Sequence, residues 1–227
     1  MQDAKESVVG GLQAKVPAGL PPVVWLDEQM VAVDKPSGLL SVPGRGADHA
    51  DCVSARVQAM WADAAIVHRL DMGTSGVLVL GRGAQAQRAL SRAFEQRQTD
   101  KVYEAVVSGL LADDAGEIDW PLICDWPNRP RQKIDPVLGK PSLTRWEVLT
   151  RDPVHGTTRL RLKPVTGRSH QLRVHLMALG HPILGDELYA PPEVVAQAPR
   201  LLLHACTLSL PHPVSGVRVC LQAPVPF

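Results

Sequence analysis

The residues best placed to do chemistry are His68-Arg69-Leu70-Asp71-Met72-Gly73-Thr74-Ser75-Gly76, followed directly by the apolar run Val77-Leu78-Val79-Leu80. A short apolar run bounded by glycines reads as a buried strand, with residues 73–76 as the tight loop leading into it. On the other side Ile66 and Val67 read as a strand end, so Asp71 sits on a loop held against a rigid element and is poorly solvated. An ionised carboxylate in such a place is costly without a cation and hydrogen-bond donors, which Arg69 and more distant arginines are able to supply. Two roles stay open at this point: a turn aspartate accepting hydrogen bonds from Thr74, Ser75 and loop amides, or a nucleophile.

Other residue types extend the set. Lys101-Val102-Tyr103-Glu104-Ala105-Val106-Val107 alternates like a strand, and Tyr103 is one of only two tyrosines. A strand tyrosine commonly packs with its hydroxyl at the surface, which is the ordinary alternative to a functional role. Gly167-Arg168-Ser169-His170-Gln171-Leu172-Arg173-Val174-His175 opens a helix, predicted to end near Gly180. Arg173, beside Leu172 and Leu176, points inwards in this reading; a buried guanidinium needs an anion, and Asp71 is the expected one. Residues 128–173 carry eleven basic side chains (Arg129, Arg131, Lys133, Lys140, Arg145, Arg151, Arg159, Arg161, Lys163, Arg168, Arg173) against three acidic ones (Asp135, Glu147, Asp152), a local balance of +8. That is either a phosphate-binding face or a set of solvated strand faces with some ion pairing.

The elements that must hold these groups follow from periodicity. Val23-Val24-Trp25-Leu26 and Met30-Val31-Ala32-Val33 read as a hairpin, stopped by Asp34-Lys35-Pro36-Ser37-Gly38. The glycine-rich loop 41–46 lacks the order of a nucleotide P-loop. Residues 51–61 and 84–97 read as helices, the second carrying Leu90 and Phe94 at i and i+4. Residues 120–131, with three prolines, are expected to be irregular, whereas residues 144–149 and 157–162 resemble antiparallel strands with Arg159, Arg161 and Lys163 facing outwards. Strands and helices interleave with hairpins rather than in βαβ order, which predicts an α+β fold built on a mostly antiparallel mixed sheet.

With 227 residues, 45% hydrophobic and 21% charged, the chain has an ordinary globular composition and is expected to form one domain over residues 21–227, behind a flexible polar lead of residues 1–20. No signal peptide or membrane span is legible, so the protein is expected in the cytoplasm. The four cysteines form no C-x-x-C pair and the eight histidines no metal spacing, so free thiols and no metal or cofactor are expected.

Four segments in this order resemble the RluA-type pseudouridine synthases: His68-Arg69-Leu70-Asp71 with Thr74-Ser75-Gly76, Lys101-Val102-Tyr103, residues 167–175, and Leu203-His204-Ala205. The resemblance spans about residues 20–227. It is strongest to the short subtype that modifies 23S ribosomal RNA and transfer RNA and has no S4-like domain, through Pro121-Leu122-Ile123-Cys124-Asp125-Trp126-Pro127-Asn128-Arg129-Pro130 and His181-Pro182-Ile183-Leu184-Gly185-Asp186.

The resemblance implies the pseudouridine synthase fold, a monomer, and RNA as the partner. It makes Asp71 the catalytic aspartate, with Tyr103 stacked on the uracil and Arg173 as counter-ion. Arg69 then occupies the place of the flipped nucleotide, and Arg168, His170, Gln171 and Leu203 belong to the RNA-binding and base-flipping set. Isomerising uridine means breaking N1–C1′, turning the uracil, joining C5 to C1′ and removing the C5 proton. Asp71 either attacks C1′, as in the retaining-glycosidase step, or removes a ribose 2′ proton. Two other classes fit less well: an RNA-binding module without activity, and a small-molecule glycosidase or nucleosidase, against which the missing second carboxylate argues.

Overall fold

Alternating apolar residues build the strands, and the computed structural model describes residues 6–9, 12–15, 19–44, 46 and 49–227. The chain divides into two compact units, residues 1–100 with 205–226, and residues 101–204 with Phe227.

The first unit begins with β1 (Glu6–Val9) and β2 (Leu12–Lys15), an antiparallel pair lying within the expected lead. Residues 1–5, 10–11 and 16–18 of that lead, and Arg45 of the glycine-rich loop, lie outside the described residues. The predicted hairpin is present as β3 (Val23–Leu26) and β4 (Met30–Lys35). Helix α1 (Val53–Gln58) is shorter than expected; it starts where Cys52 caps it, its Sγ accepting from Ala55 N at 3.4 Å. Next come β5 (Ala64–Ile66), the long buried β6 (Ser75–Arg82) and α2 (Gly83–Glu95).

The second unit holds β7 (Asp100–Ser108), β8 (Ala115–Asp119), β9 (Leu122–Cys124), β10 (Gln132–Ile134), β11 (Leu143–Asp152), β12 (Thr157–Pro164), α3 (Gln171–Ala178) and the short α4 (Pro192–Val195). The chain then returns to the first unit with β13 (Leu203–Pro211) and β14 (Arg218–Gln222).

In the first unit the strand order is β3-β4-β6-β13, with β5 on β6 and β14 on β13, and in the second it is β7-β12-β11-β8. The pairs β4–β6, β5–β6, β7–β12, β12–β11 and β11–β8 are antiparallel, as the α+β reading expects. The stretch expected to be irregular forms a second small sheet instead: β9 and β10 pair antiparallel, with a 3₁₀ turn at Trp126–Asn128 between them. Its prolines lie in the connecting loop and before β9, where no ladder donor is lost.

Each unit has its own core. Met30, Ala32, Val77, Val79, Leu90, Leu208, Leu210 and Leu221 fill the first, pressing α2 against the sheet. Ala105, Val107, Leu160, Leu162, Leu172, Leu176, Ile183 and Leu203 belong to the second, pressing α3 onto β7 and β12. None of the helices is long and apolar enough to cross a membrane, among the described residues.

Candidate functional site: a clamped aspartate loop and a braced guanidinium

Asp71 stands on the loop between β5 and β6, half-buried, and this loop is fastened at nearly every residue. Ser41 Oγ donates to Leu70 O at 2.7 Å and accepts from Leu70 N at 3.0 Å. Lys35 Nζ donates to Met72 O at 3.0 Å, to Leu39 O at 2.6 Å and to Pro36 O at 2.9 Å. Gly38 N also donates to Met72 O (2.8 Å) and Ser37 Oγ to Gly73 O (2.7 Å), while Thr74 N closes the turn onto Asp71 O at 3.1 Å. The segment from Lys35 to Ser41 thus grips both neighbours of Asp71, so the carboxylate's backbone position is set by the end of β4 rather than by the loop alone.

Lys35 is 0% exposed, which a charged side chain tolerates only when its donors are met by acceptors. The sequence marks it only as the end of a strand; the adjoining Pro36-Ser37-Gly38 turn was the available signal that the chain folds back there.

Two further contacts seat the loop. His68 stacks on Phe94 of α2, with ring centroids 4.4 Å apart, and its Nε2 accepts from Val79 N at 3.1 Å. Gly76 has φ +112°, and a Cβ there would run into the backbone of Ala205, so β6 can enter beside β13 only with glycine. Arg69 is exposed.

In the second unit Tyr103 lies on β7 opposite Leu162 of β12, half-buried against the core. Arg173 is on α3, 7% exposed, and its guanidinium makes a bidentate pair with Asp186: Nε to Oδ2 at 2.8 Å and Nη2 to Oδ1 at 2.6 Å. Asp186, fully buried, also accepts from Leu188 N (3.0 Å) and Tyr189 N (3.2 Å). Sequence alone points Arg173 to Asp71; the structure adds Asp186, which the sequence does not single out. The signal was present, since Gly185-Asp186 closes one of the quoted segments and Gly185, at φ +72°, leaves no room for a Cβ beside Arg200.

Tyr189, the other tyrosine, was also missed. Arg173 Cζ lies 5.1 Å from its ring centre, His170 Nδ1 is 2.6 Å from its hydroxyl oxygen, and Gln132 N of β10 donates to that oxygen at 2.8 Å.

The remaining predicted residues divide by exposure. Arg168 is exposed, its Nε donating to Pro141 O at 3.3 Å. His170, in the left-handed region at φ 54°, sits at the start of α3. Gln171 is buried, and its amide is fully engaged. Oε1 accepts from Thr166 Oγ1 (2.7 Å) and Arg168 N (3.0 Å), while Nε2 donates to Leu143 O and Thr144 Oγ1 (both 3.0 Å). Leu203 is likewise buried in the core. Both side chains therefore brace the fold around the exposed residues. His175, buried between Thr144 Oγ1 and Trp120 O at 2.9 Å each, does the same for α3, and burial holds its imidazole below the ordinary value of 6.5.

Ion pairing settles how the basic stretch is used. Arg145, Arg151, Arg159 and Arg161 face Glu117, Asp114, Glu104 and Glu147 within the second unit's sheet, and Arg173 faces Asp186. Among the described residues, no such pair forms for Arg129, Arg131, Lys133, Lys140, Lys163 or Arg168. The expected basic strand face is thus largely neutralised, while the bases without a salt bridge are Arg129, Arg131 and Lys133 of the β9–β10 hairpin, Lys140 and Arg168 in loops, and Lys163 on β12.

Known structures share this architecture. Human RNA pseudouridylate synthase domain containing 1 superposes with a TM-score of 0.77 at 28% identity, over 90% of this chain and 83% of the other. Human RNA pseudouridylate synthase domain containing 4 gives 0.75 at 24% identity, over 90% and 88%. The fold is therefore that of the pseudouridine synthases. The sequence profile of RNA pseudouridylate synthases matches residues 29–178, and the chain belongs to that family.

Curated relatives include the dual-specificity RNA pseudouridine synthase RluA of Escherichia coli (strain K12), 51% identical over 205 residues, covering 90% of this chain and 93% of the relative. That of Yersinia pestis is 54% identical over 194 residues, covering 86% and 94%. The chain is accordingly an RNA pseudouridine synthase, an isomerase whose partner is RNA.

Proposed function

We propose that this chain, working as a monomer in the cytoplasm, converts uridines in structured loops of both 23S ribosomal RNA and transfer RNA, with Asp71 as the catalytic group. The observation that carries this reading is the clamp on the Asp71 loop: Lys35, Ser37, Gly38 and Ser41 hold Leu70, Met72 and Gly73 in place. Such fixing is what a group that must meet one ribose carbon requires, because a displacement of about 1 Å is enough to forfeit much of the rate. The relatives' description as dual-specificity enzymes supports the pair of substrates.

A uridine stacked in RNA hides C1′ and C5, so the nucleotide is flipped out, at a cost of about a few kcal/mol that is least in a loop. Arg69 takes the vacated place. The Asp71 carboxylate either bonds C1′ as the N1–C1′ bond breaks, or removes the 2′ proton as that bond breaks to leave a glycal; the uracil turns, C5 joins C1′ as the Asp71–C1′ bond breaks or as the proton returns to C2′, and the C5 proton passes to a base. Tyr103 stacks on the uracil and is the candidate base for C5, while Arg173 opposes the negative charge. Arg168 and His170 contact the RNA, and Gln171 and Leu203 hold the segments that present them. In this reading residues 21–227 form one catalytic domain.

The test is Asp71→Asn. This isosteric change is expected to leave RNA binding within about twofold while pseudouridine in 23S and transfer RNA falls below detection, and an active Asp71→Asn protein would refute the role. Mapping pseudouridine in RNA from cells with and without the protein names the substrates.

A further inference from the structure

The hairpin of β9 and β10 carries at its tip a large apolar side chain in the wrong place for a core. Trp126 is 67% exposed, although Arg129 Cζ lies 3.1 Å from its ring centre. With one face covered by the guanidinium, that exposure belongs to the opposite face and the ring edge. The indole is held ready by a cation–π contact and left open on one side.

The loop bearing it is ordered by its own backbone: Asp125 N donates to Arg131 O, Asn128 N to Asp125 O and Arg131 N to Asn128 O, each at 3.0 Å. The hairpin is also tied to Arg173, because Gln132 N donates to the Tyr189 hydroxyl, whose ring lies beside that guanidinium. Arg129, Arg131 and Lys133 are all exposed and none forms a salt bridge among the described residues, Lys133 acting on Asp135 only at longer range, whereas the sheet arginines have their own acids.

An exposed aromatic face beside uncompensated cations fits a nucleic acid strand, whose bases stack on aromatic rings while its phosphates meet the charges. We propose that the hairpin tip is a second RNA-holding site, in which the open face of Trp126 stacks an unpaired base of the substrate loop other than the target uridine. Arg131 and Lys133 hold the phosphates flanking that base, and Arg129 keeps the indole in position. The site acts on affinity and on which loops are accepted, and leaves bond making to the Asp71 loop. It rests on RNA being the substrate.

The test uses the full chain and an anticodon stem-loop RNA. Trp126→Ala is expected to raise Kd about tenfold, the scale of one lost base–aromatic stack, and to leave the single-turnover rate at saturating RNA within about twofold of the parent. Trp126→Phe restores most of the affinity. The Arg131→Ala, Lys133→Ala double variant lowers the slope of log K against log salt by about one to one and a half. An unchanged Kd in Trp126→Ala, or a rate at saturation that falls as far as affinity does, overturns the proposal. Asp71→Asn, run alongside, keeps the two readings apart: its failure to abolish product strikes the catalytic assignment, and the hairpin is judged on binding alone.

Discussion

Replacing Arg173 by methionine removes the guanidinium and leaves Asp186, 0% exposed, with only the amides of Leu188 and Tyr189 as partners. Two charge-assisted hydrogen bonds, at 2.8 and 2.6 Å, are lost. With charge centres about 4 Å apart, the attraction is about 4 kcal/mol at an effective dielectric of about 20, and stranding one member of such a buried pair typically costs about 3–5 kcal/mol. At a urea dependence of about 2.5 kcal/mol per molar, the unfolding midpoint of Arg173→Met should fall by about 1.5 M. Asp186→Asn keeps an oxygen for the two amides and should cost less. The double variant no longer strands the Asp186 charge, so its loss should be smaller than the sum of the single losses by at least about 1.5 kcal/mol. Under conditions where each variant is folded, Arg173→Met should lose more turnover at saturating RNA than affinity. A midpoint within about 0.2 M of the parent, or additive single losses, would refute the reasoning.

Two other consequences are accessible to simple measurements. Ser41→Ala leaves both Leu70 N and Leu70 O without the hydroxyl, and should lower stability by about 1–3 kcal/mol, or Tm by roughly 2–12 °C, with a fall in turnover at saturating RNA. Unchanged Tm and turnover would show that the clamp on the loop is dispensable. His175 is kept neutral by burial, so below its ordinary value of 6.5 the unfolded chain takes up a proton that the folded chain refuses. Stability should therefore decline as pH falls below 6.5 and stop declining once the folded-state value is passed, and His175→Gln should flatten this part of the curve in urea titrations; equal slopes for the two proteins would count against it.

Local patterns in the chain carried most of the architecture. The β3–β4 hairpin, the buried β6, helix α2 and the β11–β12 pair follow from periods of two and 3.6 residues and from glycine and proline punctuation, which act over a few neighbours. The ordered appearance of the aspartate loop, Tyr103 and the Arg173 helix likewise lies in the primary structure, and the family follows from it. The β9–β10 hairpin was hidden because its prolines mark a loop without showing that the flanking residues pair. What residues do once the chain has returned on itself was illegible: that Lys35 is buried under carbonyl groups, that Asp186 grips Arg173, and that Gln171 turns inwards. The same holds for the basic stretch, in which Arg145, Arg151, Arg159 and Arg161 are neutralised while Arg129 and Arg131 stay open. A charge or a polar group takes its meaning from the partner across space, and strand pairing chooses that partner from residues tens of positions away.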